Sequence, residues 1–273
     1  MNLINIIEEI EKVDSEVIER LNPRRQAMKS FFNMGSKIAL AAVPLSLGTM
    51  LKKAYGQTTP SGIIDVLNFA LTLEHLEYNF YKKGCDKVEI TDSCDKESIK
   101  TIRLHELQHV KFLQGVIKSL GGTPVMEAKY DFTGKGTFPD VFSNYATFLA
   151  VAQTFEDTGV RAYKGQAGNL IESNEILTAA LRIHSVEARH ASHIRWMRNK
   201  LNFADVKPWI TGNESGIGPA AQASYNGEEL DTQAGITITN INGKDIPFEA
   251  ATEAFDEPLT KEQVLAIVTP FFA

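Results

Sequence analysis

Glu106-Leu107-Gln108-His109 and Glu187-Ala188-Arg189-His190 are two copies of one short pattern, a glutamate and a histidine three residues apart. Residues three apart on an α-helix share a face, so each copy can aim a carboxylate and an imidazole at one point. A lone glutamate precedes each copy at nearly the same separation, Glu74 before the first and Glu156 before the second. The chain therefore reads as one helical hairpin written twice, with four glutamates and two histidines in equivalent places. Two divalent cations would neutralise four carboxylates beside neutral imidazoles, and oxygen and nitrogen donors of this kind suit a metal site.

The surrounding periodicity supports helices. Four amphipathic segments are expected between residues 60 and 201, at about Ser61 to Lys83, Lys96 to Leu120, Phe138 to Lys164 and Asn174 to Leu201. Leu67, Leu71, Glu74, Tyr78 and Tyr81 fall on one stripe of the first. Ile99, Ile102, Glu106, His109, Leu113, Val116 and Leu120 do so in the second. The third aligns Leu149, Ala152, Glu156, Val160 and Tyr163, and the fourth Ile183, Glu187, His190, Ile194 and Met197. All six polar candidates thus lie on apolar stripes with no Lys or Arg among them. Burying an unpartnered carboxylate costs several kcal/mol even after relaxation, so this placement demands positive charge from elsewhere.

Connection lengths set the topology. Gly84 to Asp95 joins the first pair and Gly165 to Ser173 the last, whereas Gly121 to Pro139 separates the middle two and is long enough to run the length of a bundle. The expected fold is all-α, a four-helix bundle of two antiparallel hairpins with one long crossover.

Glu74, Glu106-x-x-His109, Glu156 and Glu187-x-x-His190, with that crossover, resemble the six ligands of a ferritin-like di-iron or di-manganese carboxylate bundle. The stretch from Phe69 to Tyr81 is similar more narrowly to secreted, desiccation-related ferritin-like proteins. The resemblance implies two divalent ions, Fe or Mn, held by these six residues. Glu77 lies one turn from Glu74 and is an alternate ligand; aligning the hairpins pairs Glu74 with Glu156 and Tyr81 with Tyr163, and sets Glu77 opposite Gly159. The two tyrosines are expected in the core with buried hydroxyl partners. His75 and His105 adjoin ligands but point about 100° away, which suits surface or outer-sphere groups. His184 and His193 read as polar helix shoulders or as outer-sphere support.

A net charge of −6, from 28 basic and 34 acidic residues, gives no support for nucleic-acid binding. At the N-terminus Arg24-Arg25-Gln26-Ala27-Met28-Lys29 precedes a mildly apolar run from Phe31 to Leu51, then Ala54-Tyr55-Gly56. That order resembles a twin-arginine export signal over residues 1–56, with a periplasmic or secreted destination; the other reading is a retained N-terminal helix, the one part able to touch a membrane. Cys85 and Cys94 fall within one expected loop, Gly84 to Asp95, and could close a disulfide in an oxidising compartment, or stand as two free thiols. Residues 202–273 form an extension in which Ile236 to Ile241, followed by Asn242-Gly243, suggests a strand entering a hairpin turn. Thr260 and Gln263 form a capping-box pattern that opens a last helix.

The resemblance implies an exported oxidoreductase acting on O2, peroxide or Fe(II). A rival reading is a non-catalytic envelope protein for stress protection or binding, with metal as a structural staple. Iron storage, a third, would need a hollow homo-oligomer.

Overall fold

The computed structural model describes residues 61–273. The export signal or N-terminal helix expected over residues 1–56 lies outside them. Helix α1 (Ser61–Lys87) and helix α2 (Ser93–Ser119) form the first hairpin, and α3 (Tyr145–Gln166) and α4 (Asn174–Lys200) the second. A 3-10 turn, Ala167–Leu170, leads from α3 towards α4. The crossover occupies 121–144, and helices of 27 residues are about 40 Å long, so those two dozen residues suffice to return the chain to the starting end. No described helix is long and apolar enough to cross a membrane.

Local sequence explains where the helices start. Asp92, Asn144 and Ser173 each adopt an extended backbone, and each side chain accepts from the first free amides of α2, α3 and α4. The Asp92 cap shortens the first loop to 88–92, so Cys85 and Cys94 sit on helices and not in the loop expected from sequence. Both thiols are free. Cys85 packs against the core from the last turn of α1 while Cys94 faces solvent in the first turn of α2, so the expected bridge is not formed.

The crossover is fastened at both ends. The Asn68 side chain on α1 accepts from Val125 N at 2.8 Å and donates to Thr123 O at 3.2 Å. Further along, Phe132 and Phe142 enter an aromatic cluster with Phe80, Phe148 and Phe155, in which Phe80 and Phe148 stack with centroids 4.8 Å apart.

Helix α3 is buried almost all round, from Phe148 to Tyr163, because the C-terminal extension covers the side that the bundle leaves open. Asp157 takes a two-pronged ion pair from Arg195 of α4, at 2.6 and 3.1 Å, and a 2.7 Å hydrogen bond from the Tyr225 hydroxyl. Arg161 pairs with Glu228 at 2.7 Å and donates to the carbonyls of Ser224, Asn226 and Glu257. An extension thus bound packs against the bundle through buried, paired charge, with Glu228 Oε2 left without a hydrogen-bond partner.

Its hairpins are smaller than the sequence suggests. Strand β1 (Thr232–Gln233) pairs with β2 (Ile236–Thr237), and β3 (Asn240–Ile241) with β4 (Lys244–Asp245). The expected strand from Ile236 to Ile241 is therefore split between two hairpins. The second turns through Asn242-Gly243, both with positive φ, as a tight two-residue turn requires. Helix α5 (Phe248–Thr252) follows, and α6 (Lys261–Val268) opens on the Thr260–Gln263 capping box. Val264, Val268 and Phe271 then join the bundle core.

Gly165 shows how closely the extension approaches. It lies in α3, although the sequence places it in the following loop. A Cβ there would stand 2.0 Å from the Leu259 carbonyl oxygen. In an exposed helix Gly→Ala stabilises by about 1 kcal/mol. Here Gly165→Ala is expected to lower Tm and to speed proteolysis within 202–260 while the far-ultraviolet helical signal persists; a raised Tm would show that the extension is not seated on this helix.

Candidate metal centre

Each bundle helix brings its glutamate to the same depth. Glu74, Glu106, Glu156 and Glu187 are all fully buried. Their ion-pair partners among the described residues are two imidazoles, one from each Glu-x-x-His copy. His109 Nδ1 lies 3.1 Å from Glu74 Oε2, Glu106 Oε2 and Glu187 Oε1. His190 Nδ1 lies 2.9 Å from Glu106 Oε1, 3.2 Å from Glu187 Oε2 and 3.3 Å from Glu156 Oε2. Glu106 and Glu187 therefore present one oxygen to each histidine, while Glu74 and Glu156 each serve one.

The donor atoms fall into two overlapping groups, Glu74, Glu106, His109 and Glu187, and Glu106, Glu156, Glu187 and His190. Within each group they lie no more than 4.8 Å from one another, close enough to hold a metal ion. Glu106 Oε1, Glu156 Oε2 and Glu187 Oε1 are buried with no partner beyond those imidazole nitrogens. Carboxylate oxygens so thinly served in a dry core are what a cation would satisfy, so the residues present fit a metal.

Tyrosines hold the outer oxygens. Tyr81 of α1 donates to Glu156 Oε1 at 2.5 Å, and Tyr163 of α3 donates to Glu74 Oε1. Each hairpin thus braces the other's lone glutamate and leaves its second oxygen turned inward. Burial, then the nearby carboxylates, pushes both hydroxyls well above their ordinary range, which keeps them protonated as donors.

Charge among the cluster's own groups is shared unevenly. Burial raises Glu106, with Glu187 adding to it, and burial likewise raises Glu156. Glu187 is held low because hydrogen bonds from His109 and His190 outweigh its own burial. Burial opposes charge on the imidazoles, but the glutamates around them overcome it and hold both above the ordinary histidine range.

A protein-family model for the ferritin-like domain matches residues 62–200, just over half of the chain. The chain belongs to the ferritin-like family. No curated protein matches it. In this ferritin-like bundle the matched residues span α1 to α4 and so carry the whole cluster, whereas the extension lies outside the match.

The groups around the cluster refine the sequence reading, which has Glu77 as an alternate ligand and His75 and His105 as surface or outer-sphere groups. Glu77 is buried beside the cluster yet belongs to neither donor group, and burial followed by Glu187 raises it well above the usual carboxylate range. Space for it comes from Gly159, where a Cβ would stand 3.2 Å from Glu77 Oε1. The hairpin alignment set these two positions opposite each other, and that was the available signal. His75 is not a surface group: it is buried with both ring nitrogens unpartnered. His105 reaches across from α2 to His190. His193 stacks on Trp196 and belongs to neither donor group.

Protons on His109, His190, Glu106 and Glu156 must leave before a cation can bind. Metal affinity is therefore expected to rise with pH across the neutral range, with protons released on binding. Calorimetric titration in buffers of different ionisation enthalpy measures that release; binding without it would contradict the charge distribution described.

Proposed function

We propose that the cluster binds two divalent ions, Fe or Mn, and that the protein is an oxidoreductase acting on O2, peroxide or Fe(II). The observation that carries this reading is the shared pair, Glu106 and Glu187, each offering one oxygen to either side. Glu74 and His109 would complete one site, Glu156 and His190 the other, and Glu77 stands by as an additional carboxylate. Carboxylate and imidazole donors favour Fe or Mn over ions that seek thiolates. When bound, such a pair would supply two-electron redox chemistry to a small oxidant.

The chain's own residues set the conditions for that chemistry. Full burial of the four glutamates keeps water and bulky substrates away. Tyr81 and Tyr163 fix the outer oxygens of Glu156 and Glu74, so the inward oxygens are preorganised. Partly exposed His109 marks the side nearest solvent, and a diatomic or peroxide-sized molecule suits so closed a site.

The twin-arginine-like order at Arg24-Arg25 supports export to the periplasm or beyond, a route suited to a protein that folds around its metal before crossing. The same buried carboxylates also support the rival, in which metal serves as a staple within a stress-protection or binding protein. Bound ions would then stabilise by about 4 kcal/mol at a thousandfold excess over Kd.

Elemental analysis of the full chain is expected to show two Fe or Mn ions, with O2- or peroxide-dependent turnover. Glu106→Ala and Glu187→Ala should each abolish binding of the pair, and Glu77→Ala should cost less. Stoichiometric metal with no oxidant consumed would leave the staple; equal metal loss from Glu77→Ala and Glu74→Ala would overturn the ligand assignment.

A further inference from the structure

The two halves of the cluster are not equivalent, and the difference lies just outside the donors. His105 Nδ1 lies 3.0 Å from His190 Nε2. The two rings are inclined by only 13°, with centroids 5.2 Å apart. That separation exceeds the nitrogen contact by about two ring radii, so the imidazoles meet edge to edge along the N–H···N line and not face on face. His105 comes from α2, the helix that carries Glu106, and reaches across to α4. Its other side is exposed to solvent. The hairpin repeat sets Val186 in the place of His105, one residue before Glu187, and valine offers no polar atom to His109.

We propose that His105 is the positioning residue for His190, and that it makes the half of the metal site built on Glu156 and His190 distinct from the half built on Glu74 and His109. This rests on the reading above, that the cluster holds two ions. The argument is one of tautomers. His190 turns Nδ1 to the carboxylates, so a metal there takes the Nδ1 lone pair and leaves the proton on Nε2. His105 Nδ1 accepts that proton's hydrogen bond, and its own proton then sits on Nε2, on the solvent side. An imidazole so held keeps one ring orientation before the ion arrives, and one tautomer as soon as its Nδ1 proton has left. Imidazole ligands lacking such a partner lose about 10- to 100-fold in metal affinity. His109 makes its inward contacts through Nδ1 as well, but the equivalent partner position is apolar.

Stepwise titration of the metal-free full chain with Co(II), followed by calorimetry and by the visible absorption of the bound ion, tests this. The wild type is expected to take up two ions in resolvable steps. His105→Phe should weaken one step by about 10- to 100-fold and shift the absorption of that ion alone, leaving the other step in place. His105→Asn puts an acceptor oxygen where Nδ1 stands and should restore most of the loss. The assignment is overturned if His105→Phe weakens both steps alike, if it weakens neither, or if Asn does no better than Phe. Wild-type protein that binds fewer than two ions would instead refute the two-ion reading, and the inference would fall with it.

Discussion

Four carboxylates buried at one level of a helical bundle, with no described lysine or arginine paired to them, set the terms for everything else in this protein. Such a group cannot be held together by packing, because repulsion in a poorly hydrated core grows as the helices close. The chain answers with two imidazoles that attract protons, two tyrosine hydroxyls that tie off the outer oxygens, and protonation of some of the glutamates themselves. Each device lowers the net negative charge or satisfies a lone pair. None removes the preference for a cation.

Internal duplication supplies the frame, and departures from it supply the chemistry. The crossed tyrosines keep the repeat faithfully, since Tyr81 serves Glu156 and Tyr163 serves Glu74. At Glu77 and at His105 the repeat is broken. Glu77 stands against Gly159, so one hairpin adds a carboxylate in the volume the other leaves empty. His105 stands where the second hairpin has Val186. A perfectly repeated bundle would offer two identical halves, and these substitutions give them different surroundings.

The helices and the six candidate donors could be read from spacing, because period and burial agree: a ligand on an apolar stripe must point inward wherever its helix packs. Helix ends were less legible. Asp92 caps α2 three residues ahead of the expected start, and Gly165 looks like a loop residue until the Leu259 backbone is seen crossing it. Helix α3 reads as one apolar stripe, yet it is buried almost all round, since its polar positions Gln153, Asp157 and Arg161 meet an extension with no periodic signature. His105 reads from sequence as a surface or outer-sphere group, but its partner cannot be read there. A contact between helices depends on their relative rotation, which the pattern along one chain does not contain.

The belt of ion pairs around α3 has a mechanical consequence. Asp157 adjoins Glu156, and Arg161 lies little more than one turn further on, so the clamp that secures the extension also grips the helix carrying one outer carboxylate. Loosening the extension therefore also loosens the helix that sets the height of Glu156 in the cluster.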